Sequence, residues 1–278
     1  MSTDAQAEQG RGGSVPADTG AGRSAGFITA LAAEWTKLTT LRSMRRAPVA
    51  CAVTGGLVAA LFLLTLEATV GTPLSQQSAT EVASTSALGA DAAALLIIVL
   101  TAAFATSEHG TGLIAYTLTV TPGRGRRLVA AATAVGVWGL LCGVLAALTA
   151  YAVGQAVALG AGAPVVGPTD PATARMLAGA ALMSPFYAVV ALAAAEATRS
   201  LPGGVAGALA VLVAPTLMSW VPSGALDPLL PFTPAEALHA VGGVGGPDAL
   251  GPFAGSAVLG VWLVVILFAT RFAANRDV

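Results

Sequence analysis

Few side chains in this 278-residue chain are equipped for chemistry: two histidines, two cysteines and a single lysine. His109 and His239 fall in loops that the topology below assigns to opposite sides of a membrane, so they share neither a metal nor a catalytic dyad. Cys51 and Cys142 lie inside apolar stretches, in neither CxxC nor Cys/His spacing, and read as small buried apolar residues with no disulfide. There is no HExxH zinc motif and no GxSxG nucleophile elbow. A P-loop needs GxxxxGK followed by Ser or Thr, and the only lysine, Lys37, precedes Leu38. The expectation is a chain with no catalytic residues, no metal site and no bound cofactor. Glu67, Asp91 and Glu196 lie within a turn or two of the ends of apolar segments. They are expected to snorkel to the interface rather than form a proton relay.

The elements that hold these residues are set by composition. The chain is 55% hydrophobic and 10% charged, too apolar to cover a water-facing surface. Six segments approach the roughly 20 apolar residues that cross a bilayer as a helix, at 47–69, 88–106, 128–158, 176–196, 202–221 and 252–271. Backbone groups in lipid must be satisfied within a helix or a closed barrel, and no alternating strand pattern with hairpin turns occurs. The expected fold is therefore all-α and integral to the membrane: a six-transmembrane-helix bundle over 27–278, after a disordered tail at 1–26. The third span is longer than a crossing requires, and Pro185 and Pro215 should kink the fourth and fifth. Gly139 with Gly143, Gly203 with Gly207 and Gly251 with Gly255 have the GxxxG spacing of closely packed helices.

Twelve of the thirteen Lys and Arg residues occupy alternate gaps between these spans, and only Arg175 lies on the other side. By the positive-inside rule both termini face the cytoplasm, with Arg42, Arg45, Arg46, Arg124, Arg126 and Arg127 setting the orientation. A net charge of −1 argues against a nucleic-acid partner. Membrane lipid is the expected surrounding.

Two cytoplasmic segments are more than connectors. In Phe27 to Arg46, the residues Phe27, Ile28, Leu31, Trp35, Leu38 and Leu41 recur at helical spacing, while Glu34, Lys37 and Arg45 point elsewhere. This predicts an amphipathic interfacial helix with Trp35 and the basic groups among lipid headgroups. In the loop Ser107 to Arg127, Glu108 to Thr119 is expected to form a short helix ended by Pro122 and Gly123. Such a helix suits docking to a cytosolic protein. On the opposite side, Pro222 to Gly251 reads either as a partly re-entrant cap or as a plain loop.

The stretches AEWTKLTTLRS, SEHGTGLIAYTLTVTPGRGR and FAANRDV resemble the permeases of type 2 ABC exporters of actinobacterial type. ALAAAEATRSLPGG across the fourth and fifth spans and LLPFTPAEAL before the sixth agree with them, so the resemblance covers about 27–278. It implies an export permease that pairs with a second permease, identical or similar, and with a cytosolic ABC ATPase subunit that uses ATP and Mg. It further implies that the N-terminal helix, through Glu34, Trp35 and Lys37, and a coupling helix between the second and third spans, through Glu108, Thr111, Gly112, Ile114, Thr117 and Leu118, engage that ATPase. His109 and Tyr116 depart from the family pattern. The implied cargo is hydrophobic or amphipathic: a drug, lipid or peptide. The alternatives are a non-transport membrane component, such as an immunity, sensor or scaffold protein, and a secondary transporter, disfavoured by the lack of charges at mid-helix.

Overall fold

The computed structural model describes residues 22–111, 124–221, 225–245 and 249–275, and among these there is no β-strand. The helices are α1 (Gly22–Thr40), α2 (Arg42–Val70), α3 (Ala79–Thr111), α4 (Arg124–Gly160), α5 (Pro171–Thr198), α6 (Leu201–Ser219), α7 (Pro234–Gly242) and α8 (Pro252–Asn275). Six of them, all but α1 and α7, are long and apolar enough to cross a membrane. The protein is an all-α, six-helix membrane bundle.

All six expected spans are present, and the helices mostly run past the expected ends. The largest extension is at the start of α3. Ser78 and Glu81 form a capping box there: the Ser78 amide donates to Glu81 Oε2 at 2.8 Å and the Glu81 amide to Ser78 Oγ at 3.2 Å. The S-x-x-E pattern was visible in the sequence, but the polar run 79–87 reads as loop if only apolar content is scored. At the chain's beginning, α1 starts at Gly22, so residues 22–26 belong to a helix and not to the expected tail. A bend at Leu41 then separates α1 from α2, so Arg42, Arg45 and Arg46 lie in the first turns of α2 rather than on the interfacial helix.

The centre of the bundle is α5, with 72% of its apolar window buried against 11% for α8 and 17% for α6. Its partners are α3, α4, α6, α7 and α8. Small residues allow this density. A Cβ at Gly143 would fall on the carbonyl oxygen of Ala181, and one at Gly139 would come within 2.8 Å of Pro185 Cα. The first GxxxG pair is therefore the α4–α5 contact. Two hydrogen bonds cross from α4 to α2, from Trp138 Nε1 to the Met44 carbonyl (3.2 Å) and from Thr149 Oγ1 to the Ala52 carbonyl (2.8 Å). Cys51 of α2 and Cys142 of α4 are both buried and lie side by side, a meeting that their separation in sequence gave no reason to expect, and the Cys51 thiol donates to the Ala93 carbonyl of α3 at 3.9 Å.

The Pro-rich segment is a cap that enters the bundle. The 3-10 turn Asp227–Phe232 leads into α7, whose Pro234, Ala235, Ala237, Leu238, Ala240 and Gly242 are buried. Gly179 of α5 meets Gly242 so closely that a side chain on Gly179 would overlap its backbone, and Trp262 Nε1 of α8 holds the Phe232 carbonyl at 2.9 Å. The plain-loop alternative is excluded for 225–245.

Candidate functional site

Two sites bring ionisable groups together, one at each level of the bundle. The first lies where α1 crosses the ends of α3, α4 and α5. Here the start of α4 meets the end of α8, with Gly125 beside the Arg271 guanidinium, and Arg199 closes α5. The basic groups thus gather at one end of the bundle, and Arg175 is near the other, against Gly243.

At that basic end, α1 is docked onto the bundle. Trp35 and Trp138 pack edge to face with ring centroids 5.7 Å apart, and Leu38 is fully buried. The buried stripe runs through Ala30, Glu34 and Leu38, while Ile28 is 70% exposed. Most of the expected apolar face is thus turned to the bundle, with Leu31 and Leu41 packed beside Leu38; Glu34 shares that face, and Ile28 lies outside it. Glu34 Oε1 accepts from Lys37 Nζ at 2.9 Å, one turn along the same helix. The two groups line a cavity of about 240 Å³ together with Arg127, Glu196, Phe104 and Ser107.

Glu196 does not snorkel alone to an interface. Its Oε1 accepts from Arg127 Nη2 at 2.6 Å, both side chains being mostly buried, which ties the end of α5 to the start of α4. Arg127 is thus a structural partner as well as part of the basic cluster; Arg42, Arg45, Arg46 and Arg126 are exposed. Glu108 and Thr111 lie on the last turns of α3, at this same end, and Arg124 begins α4. Gly112, Ile114, Thr117 and Leu118, with most of the expected coupling helix, lie outside the described residues.

The second site is a cleft of about 550 Å³ bounded by α2, α3, α6, the 3-10 turn and α7. Asp91 of α3 and Glu236 and His239 of α7 face it from a lining that is otherwise mostly apolar, with Phe62, Leu95 and Leu212 beside the hydroxyl residues Thr216 and Ser219. Since α3 begins at Ala79, twelve helical residues, about 18 Å of rise, precede Asp91. Asp91 is therefore a mid-helix carboxylate, contrary to its expected place near a span end. Asp91 and His239 interact electrostatically, and so do Asp91 and Tyr187 of α5. Tyr187 is fully buried and its hydroxyl has no hydrogen-bond partner among the described residues. Sequence reasoning missed this group because α7 was not placed; the capping box at Ser78 was the one available signal for the depth of Asp91.

Comparison with protein-family models, with curated proteins and with solved structures finds no match to this chain. The functional reading rests on these two sites. Among the described residues no three His, Cys, Asp or Glu side chains converge as a metal site.

Proposed function

We propose that this chain is the transmembrane permease subunit of an ATP-binding cassette exporter, moving a hydrophobic or amphipathic cargo with energy from a separate ATPase subunit. The observation that carries the reading is the docking of α1. An element outside the span set is joined to the bundle by Trp35, Leu38 and the buried Glu34 at the end where α3 and α4 emerge. A push on α1 or on the α3–α4 connection would pass through Trp138 and the Arg127–Glu196 pair into α4 and α5, which pack against most of the bundle. Two packings of such a bundle, biased from that end, make an alternating transporter. In this reading the basic end is cytoplasmic, both termini are inside a bacterial plasma membrane, and the exposed Ile28 side of α1 meets lipid headgroups.

Co-expression with a P-loop ATPase encoded beside this chain tests the reading. The two are expected to co-purify, and Glu108→Ala with Thr111→Ala is expected to lower ATP turnover while the complex still assembles. Undiminished turnover in that variant refutes the assignment of the α3–α4 connection, and failure to associate with any such ATPase refutes the permease.

One observation favours a second reading. Asp91 supplies the mid-helix charge whose supposed absence counted against a secondary transporter. Substrate uptake into vesicles driven by a proton gradient without ATP would select that mechanism.

A further inference from the structure

The cleft beside Asp91 has a composition that selects a class of ligand. A carboxylate at mid-helix in a membrane protein is expensive to keep ionised unless a charge of opposite sign or a set of donors meets it. Among the described residues no hydrogen bond and no Lys or Arg ion pair reaches the Asp91 side chain, and no Lys or Arg lines the cleft; the one basic group that acts on it is His239. Arg175, the basic residue near that end, lies instead against Gly243. Glu236 adds a second acidic group on the facing helix, half-buried like Asp91. Apart from His239, Thr216 and Ser219 the remaining walls are apolar, and the volume of about 550 Å³ is that of a site for a drug-sized molecule.

A second, independent feature lies behind Asp91. The Tyr187 hydroxyl is completely buried, lacks a partner among the described residues and is within electrostatic reach of the carboxylate. Ala94, one turn along α3 from Asp91, packs in the same apolar cluster as Tyr187 and Leu238, so these groups stand at one level of the bundle. The polar functions of α3 and α7 thus line the cleft, with the Tyr187 hydroxyl of α5 buried near Asp91.

We propose that this cleft binds an amphipathic monocation, with its cationic centre against Asp91 and Glu236 and its apolar body against Phe62, Leu95 and Leu212. An anion of the same shape is repelled by the two carboxylates, and with a neutral molecule bound the cleft keeps two acidic groups against the single basic group His239. Naming this ligand as cargo rests on the permease reading; binding itself does not.

The test uses the purified full chain in lipid nanodiscs and radiolabelled tetraphenylphosphonium, with tetraphenylborate as the anion of matched shape. Saturable binding of one phosphonium per site is expected, with affinity at least tenfold weaker in Asp91→Asn and weakened to a smaller degree in Glu236→Gln. Equal affinity in wild type and Asp91→Asn, or tetraphenylborate binding as tightly as the phosphonium, overturns the proposal. Should Asp91→Asn fail to fold, the wild-type chain still decides. Carbodiimide modification of Asp91, read by peptide mass spectrometry, is expected to be slowed by tetraphenylphosphonium and not by tetraphenylborate, and unchanged modification overturns the proposal. If the chain binds the phosphonium but associates with no ATPase on co-expression, the permease is refuted and the site stands; coupled ATP turnover without phosphonium binding does the reverse.

Discussion

Removing the lysine from the Glu34–Lys37 pair gives the sharpest test of how α1 is held. Glu34 is 4% exposed, and Lys37 Nζ stands 2.9 Å from its Oε1. At an effective dielectric of about 20, two unit charges at that separation attract by about 6 kcal/mol. Desolvation of both groups offsets much of this, so the pair as a whole contributes little. Lys37→Met removes the attraction and leaves the desolvated carboxylate, a loss expected at about 3 kcal/mol because Lys37 is itself partly exposed. Adding Glu34→Leu removes the stranded charge, and the double variant should recover most of that loss. The event to watch is detachment of α1, reported by hydrogen–deuterium exchange of the peptide 27–41. A loss of about 3 kcal/mol corresponds to exchange faster by roughly a hundredfold in Lys37→Met, when exchange follows the open population. Exchange in α4 and α5 should be unchanged, and the double variant should lie near wild type. If the double variant exchanges as fast as Lys37→Met, or if neither differs from wild type, Glu34 is not a buried charge and α1 is not docked as described.

Two glycines on long apolar helices should respond in opposite directions to the same change. Gly143→Ala forces a methyl onto the Ala181 carbonyl and is expected to cost about 1–3 kcal/mol, whereas Gly260→Ala in α8 meets no atom within 4 Å and should gain up to about 1 kcal/mol from helix propensity. Unfolding midpoints in mixed micelles measure both, and equal shifts would contradict the α4–α5 contact. A third prediction concerns acid. The Thr173 amide and hydroxyl donate to Asp170, the N-cap of α5, and hold its carboxyl below the ordinary range. Its contribution is complete above the unfolded-state pKa and is lost as pH falls through the lower folded value. Asp170→Asn keeps the cap but cannot titrate, so its stability curve should lack that acid-side loss; superimposable curves would remove Asp170 from the account.

Much of the architecture was legible in one dimension because the membrane imposes a one-dimensional rule. A span must be apolar for about 20 residues, and basic residues sort to one side. Both rules act on local composition, so the six spans and the basic end follow without knowledge of packing. Helix ends obey different physics. The Ser78–Glu81 capping box carried α3 two turns beyond its apolar stretch, and that shift alone moved Asp91 from a span end to mid-helix.

The sequence by itself determined that this chain is a bundle of six membrane-crossing helices with its basic groups at one end, because length and polarity against lipid decide both. Only the tertiary structure decided which charges meet. Glu196 finds Arg127 across 69 residues, Cys51 finds Cys142, and α7 is carried inward to set Glu236 and His239 opposite Asp91. Those pairings depend on small-residue contacts such as Gly143 on Ala181 and Gly179 on Gly242, whose partners lie on separate elements. Side-chain periodicity tells which face of a helix is apolar. It does not tell what that face will touch, and for Glu34 the touching surface included a charge.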